Sequence, residues 1–173
     1  MMEGVRIFYE NGMRFIEAQL EAGADGIQSV EPSCSLINPA FYQRQIQPLH
    51  KAMAERIQKN GGFARLHICG DTHTILPYML GTGTRILDID HAVRLEEAVP
   101  PLAERQVFCG NSDPSGDVLT GTPESFAHKV RDIVRQTGNR IILSRGCDIP
   151  PDTSAENMDA FFAACDRLKD EWP

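Results

Sequence analysis

Five short runs rich in strand-forming residues, spaced by segments of helical periodicity, constrain this chain more than any other feature. They cover residues 26–30, 63–69, 85–89, 106–110 and 140–144. The first is preceded by a helical face built from Val5, Phe8, Gly12, Phe15, Ile16 and Leu20, which Gly23 ends. Asn38-Pro39 and Thr122-Pro123 each read as an N-cap followed by a first-turn proline. Pro48 must kink or divide the helix that Asn38 opens. Thr153 and Glu156 have the spacing of a capping box before a last helix carrying Met158, Phe161, Phe162, Cys165 and Leu168. The helices after Asp71 and Arg94 are short, and Pro100-Pro101 breaks the second one early. Strands alternating with helices define an α/β chain with a parallel sheet and right-handed crossovers. Two architectures fit, an open doubly wound sheet or a piece of a (β/α)8 barrel. No glycine-rich phosphate turn follows the first strand, which weakens the nucleotide-binding form of the open sheet. The 173 residues read as a single domain, 1–173, too short for a whole barrel of about 250.

Charge narrows the partners. Seventeen basic and 24 acidic residues give a net −7 with no Lys/Arg block, so neither a nucleic acid nor an anionic membrane is expected. No apolar stretch reaches membrane-spanning length, and the first residues lack the apolar run of an export signal. Five cysteines, an odd number without such a signal, point to reduced thiols in the cytoplasm.

In parallel α/β folds the chemistry sits where strands end. The second strand ends Leu66-His67-Ile68-Cys69-Gly70-Asp71, and the spacing of His67 and Cys69 puts both on one face. The last strand runs into Ser144-Arg145-Gly146-Cys147-Asp148. One imidazole and two thiolates make a soft donor set that suits Zn²⁺ and leaves a fourth position open. Glu31, at the end of the first strand, is expected as a ligand or near-ligand in that position, with a local hydrogen bond as the alternative. Asp88 and Asp90 share a face of the third strand; Asp90, nearer the end, is favoured for acid/base or supporting work over a solvated Asp88. Asn111 and Asp113 either cap the loop after the fourth strand or line the pocket. Cys165 and Cys109 read as packing, Cys34 as ambiguous, and His50, His73 and His128 as surface residues.

The segments His67-Ile68-Cys69-Gly70-Asp71-Thr72, Asp88-Ile89-Asp90, Gly110-Asn111-Ser112-Asp113-Pro114 and Gly146-Cys147-Asp148-Ile149-Pro150-Pro151 together resemble the uroporphyrinogen decarboxylase superfamily. Glu21-Ala22-Gly23-Ala24-Asp25-Gly26 and Gly121-Thr122-Pro123-Glu124 fit the same pattern. Within it the chain is most similar to the corrinoid-dependent methyltransferases of the methylcobamide:coenzyme M type. The resemblance implies the C-terminal part, about five strands, of a (β/α)8 TIM barrel. It implies zinc on His67, Cys69 and Cys147; Asp90 and Asn111, from their places at strand ends, are the catalytic candidates. It further implies methyl transfer between a methyl-corrinoid (methylcobalamin) carried on a partner protein and a small thiol acceptor. A decarboxylase-like enzyme acting on a tetrapyrrole is the runner-up, and a non-catalytic partial-barrel subunit the third reading. Five strands of eight cannot close, so a homo-oligomer or a chain supplying the missing strands is also expected, covering interior residues such as Ile27, Leu66 and Ile142.

Overall fold

A computed structural model describes residues 2–171 except 101 and 139, with side chains at 2, 170 and 171 left aside. Helix α1 (Met2–Glu21) leads into β1 (Gly26–Val30), a 3₁₀ turn (Pro32–Leu36) and α2 (Pro39–Phe41). A π-helical turn (Tyr42–Ile46) joins α2 to α3 (Gln47–Lys59). Then follow β2 (Phe63–Ile68), α4 (Leu76–Leu80), β3 (Ile86–Ile89), α5 (Leu95–Ala98), β4 (Val107–Asn111), a second π-helical turn (Pro114–Leu119), α6 (Pro123–Thr137), β5 (Ile141–Ser144) and α7 (Ala155–Glu171). All five strands lie in one parallel sheet in the order β1-β2-β3-β4-β5. Strictly sequential order without a switch point is barrel wiring, so of the two architectures the doubly wound one is excluded.

Local chemistry explains most element boundaries. Thr122 Oγ1 accepts a hydrogen bond from Ser125 N at 3.2 Å while Ser125 Oγ accepts one from Thr122 N at 2.9 Å, which closes a capping box on α6. The helical path from Pro39 is divided where Pro48 demands it. Proline lacks an N–H and crowds the preceding turn, and the chain widens to a π turn just before it. The cap of α7 is Ser154 rather than Thr153: Ser154 Oγ accepts from Asn157 N at 3.1 Å. The helices α4 and α5 are short as expected; Pro101 lies outside the described residues.

The pleat divides the sheet into two chemically different faces. Ile27, Ala64, Leu66, Ile68, Leu87, Ile89 and Phe108 are buried, against the helices. Ile27 and Leu66 therefore belong to the helix side, correcting their placement in the barrel interior; Ile142 does face the interior. Val30 pairs with His67, His67 with Asp88, Asp88 with Cys109, and Cys109 with Ile142. Register partners on parallel strands share a face, so these five side chains form one row across the concave surface. Its ends, Val30 (52% exposed) and Ile142 (44%), are open, whereas His67 and Asp88 at the centre are 4% exposed. The face read for α1 is only partly used. Ile16 is buried and Leu20 packs beside it, but Phe8 is 80% and Phe15 67% exposed, since α1 contacts only β1 and α3 substantially. No helix among the described residues is long and apolar enough to cross a membrane.

Candidate metal centre

His67 reaches the concave surface from β2, and Cys69 follows just past the strand end. Cys147 comes from the turn after β5, three strands away, which in a flat sheet would be roughly 14 Å. Yet Cys69 Sγ and Cys147 Sγ are 3.4 Å apart, and His67 Nε2 lies 3.0 Å from Cys69 Sγ. Sheet curvature and two glycine turns close the distance. Gly70 has φ +82, a conformation L side chains rarely adopt, and its N–H donates to Asp90 Oδ2 at 2.9 Å. Gly146 has φ +98 and sits against the loop after β4; a Cβ there would lie 2.5 Å from Ser112 O and 2.7 Å from Pro114 Cγ. Donor atoms of His67, Cys69 and Cys147 all fall within 4.8 Å of one another. One imidazole and two sulfurs converging from two strand ends fit a Zn²⁺-class ion with an open fourth position.

Around this cluster the electrostatics are organised by Asp88. Its Oδ2 is 3.2 Å from His67 Nδ1 and accepts from Arg65 Nε at 3.0 Å, and Arg65 Nη2 also pairs with it. The His67–Asp88 contact is close without the alignment of a full hydrogen bond. Asp88 pushes the His67 pKa up to about 9, against the opposing effect of burial. Ligation needs a neutral imidazole, so an ion bound here would displace a proton. Burial and the adjacent Cys69 thiol push the Cys147 thiol up, while His67 pulls it down. A carboxylate holding the far nitrogen of a ligating histidine fixes both ring orientation and tautomer. Asp88→Asn should therefore weaken zinc binding about 10–100-fold in a chelator competition, with the fold intact by circular dichroism. An unchanged affinity would remove Asp88 from this role. The cluster lines an open cleft of about 560 Å³, walled also by Gln28, Val30, Arg65, Arg145 and Ile149. The Arg145 guanidinium lies 5.6 Å and 5.5 Å from the ring centres of Phe161 and Phe162.

Four expected residues lie outside the three-donor cluster. Glu31 follows Val30, whose side chain occupies the interior row; one more step along the pleat turns Glu31 to the helix side, where its carboxylate groups with Cys34 and His50. Asp90 lies beyond β3, and its oxygens accept from Gly70 N and Ala92 N, at 2.9 Å and 3.0 Å, rather than facing the cleft. Asn111 is buried and donates from Nδ2 to Val93 O at 2.9 Å, pinning the loop after β3. Asp113 is a cap, with Oδ1 accepting from Ser115 N at 2.9 Å. His73 and His128 are exposed, but His50 is buried, correcting its surface assignment; its Nδ1 is 3.0 Å from Tyr42 Oη. The residue that sequence reasoning undervalued is Asp88. The signal was its place opposite His67, which appears only once β2 and β3 are set in register.

Sequential parallel strands with polar donors at their carboxyl ends define a β/α-barrel protein with its site at the C-terminal face. The sequence profile described as uroporphyrinogen decarboxylase (URO-D) matches residues 2–168, and the chain belongs to that family. It is 31% identical over 166 residues to a uroporphyrinogen decarboxylase from Synechococcus sp. (strain CC9605), covering 94% of this chain and 46% of that protein. It is 30% identical over 157 residues to the methylcobamide:CoM methyltransferase MtbA of Methanosarcina acetivorans, covering 90% of this chain and 45% of that one. A solved structure titled a methyltransferase from Methanosarcina mazei superposes with a TM-score of 0.84 at 23% identity, over 96% of this chain and 49% of that chain. The fold is thus part of a uroporphyrinogen decarboxylase-type barrel, and the chain spans a little under half the length of the curated relatives it matches. Decarboxylases and methyltransferases occur among its relatives at similar identity.

Proposed function

We propose that this chain carries the zinc and thiol-binding part of a methyltransferase that moves a methyl group between a methyl-corrinoid protein and a small thiol. The observation that carries this reading is the convergence of His67, Cys69 and Cys147 on the cleft, a donor set for which tetrapyrrole decarboxylation has no evident use. His67, Cys69 and Cys147 would hold the ion. Bound there, Zn²⁺ would lower the pKa of an acceptor thiol so that its thiolate exists at neutral pH. Asp88 keeps the His67 ring in place, and Arg65 offsets the buried Asp88 charge. Two cysteinates balance the charge of a divalent ion, which leaves an acceptor thiolate nucleophilic. In such a transfer the acceptor sulfur would lose its proton to solvent and form the new S–CH₃ bond, and the pair from the broken methyl–carrier bond would leave with the corrinoid. The open cleft admits a small thiol beside the cluster, with Val30 and Ile149 as apolar wall and Arg145 as cation.

The test is methyl transfer from methylcobalamin to a panel of small thiols, coenzyme M included, by the purified full chain with and without zinc. Zinc-dependent formation of the thioether supports the reading. Zinc-loaded protein that methylates no thiol, or that releases CO₂ from a tetrapyrrole carboxylate unaffected by chelation, overturns it and favours the decarboxylase reading.

A further inference from the structure

On the other side of β1, we infer a second metal-binding site of the Zn²⁺ class, formed by Glu31, Cys34 and His50. It does not rest on the methyl-transfer reading and shares no residue with the first cluster. Their donor atoms lie within 4.8 Å of one another, and Cys34 and His50 are buried. The local structure builds this grouping. Glu31 stands at the N-cap position of the 3₁₀ turn Pro32–Leu36 without a side-chain capping bond, and Cys34 N donates to Glu31 O at 3.1 Å. A 3₁₀ helix has three residues per turn, so the turn brings residue 34 back round to the side of residue 31. His50 comes from the N-terminal part of α3. Its Nδ1 is held by the fully buried Tyr42 hydroxyl at 3.0 Å, which leaves Nε2 as the free nitrogen. An imidazole oriented through its other nitrogen is the usual arrangement of a ligating histidine.

The donor chemistry selects the ion. Calcium and magnesium take oxygen ligands, whereas one thiolate, one imidazole and one carboxylate suit zinc and its neighbours. Tetrahedral zinc places donor atoms roughly 3.3–3.8 Å apart, within reach of small rotamer changes from the present spacing. Two anionic donors against a divalent cation also make a neutral centre. Among the described residues no cation pairs with Glu31, and burial pushes its carboxyl pKa up. Burial, and then Glu31, push the Cys34 thiol up to about 12. Burial also brings His50 down to about 4. A cleft of about 350 Å³ lined by Tyr9, Gly12, Leu49 and the three donors gives the ion a route from solvent.

Cobalt(II) titration of the full chain tests this, because thiolate ligation gives a charge-transfer band. Wild type should bind two Co²⁺ per chain. Cys69→Ala/Cys147→Ala should keep one, with a single-thiolate band. Adding Cys34→Ala should abolish that band, and Glu31→Gln in the double variant should weaken binding at least ~10-fold. Zinc should raise the melting temperature of the double variant but not of the triple variant. The inference is overturned by a folded double variant with no cobalt–thiolate band, or by a band that survives Cys34→Ala. Should the double variant fail to fold, a wild-type cobalt stoichiometry that Cys34→Ala leaves unchanged overturns it equally.

Discussion

Replacing Cys147 with alanine should lower the zinc affinity of the first cluster more than about 100-fold, beyond what loss of a supporting residue such as Asp88 costs. The physical reason is the number of donors. His67 and Cys69 alone sit on one strand end and offer one nitrogen and one sulfur, too few to hold a tetrahedral ion against water. The same variant should lose any zinc-dependent thiol methylation. Chelator competition, corrected for the second cluster with Cys34→Ala, reads the effect. Wild-type affinity in Cys147→Ala would remove that sulfur from the metal centre and with it the reason for preferring a methyltransferase.

The largest stability effect belongs to Phe108. It is fully buried on β4, between β3 and β5, within the main core with Leu87, Ile89 and Ile133. Truncation to alanine removes a ring from a packed interior and leaves a cavity that neighbouring strands cannot fill, so Phe108→Ala should cost about 3–5 kcal/mol. Phe15→Ala, at a site 67% exposed, should change stability by less than about 0.5 kcal/mol. Urea unfolding should show a much lower midpoint for Phe108→Ala with an unchanged slope. Equal effects at the two positions would mean that the sheet-helix core described above does not dominate stability.

The strands and most helix caps were legible because each depends on neighbours in sequence. The β1 run 26–30 coincides with the observed strand, and the other four differ by a residue at one end or both. His67, Cys69 and Cys147 could be grouped from their places at strand ends. What escaped depended on counting across the fold. Glu31 differs from Val30 by one pleat step, and that step carries it through the sheet. Choosing Asp88 over Asp90 required the β2–β3 register, which neither strand encodes alone. His50 reads as a surface residue only from its place in a helical stretch, whereas its burial comes with packing against Tyr42. The face of α1 was read as core from periodicity, yet periodicity says nothing about whether a neighbour exists to cover it.

The contact between Gly146 and Ser112 gives β4 a hold over a sulfur it does not carry. Cys147 occupies its place because the backbone beside it is pressed against the loop that Asp113 caps. Any side chain at 146, or a change in the shape of that loop, would move the sulfur without touching a donor. Substitutions at residues 112–114 alone should therefore change metal affinity at the cluster while leaving all three donors in place. Variation in that loop is a tuning screw for the centre, set at one remove from the chemistry.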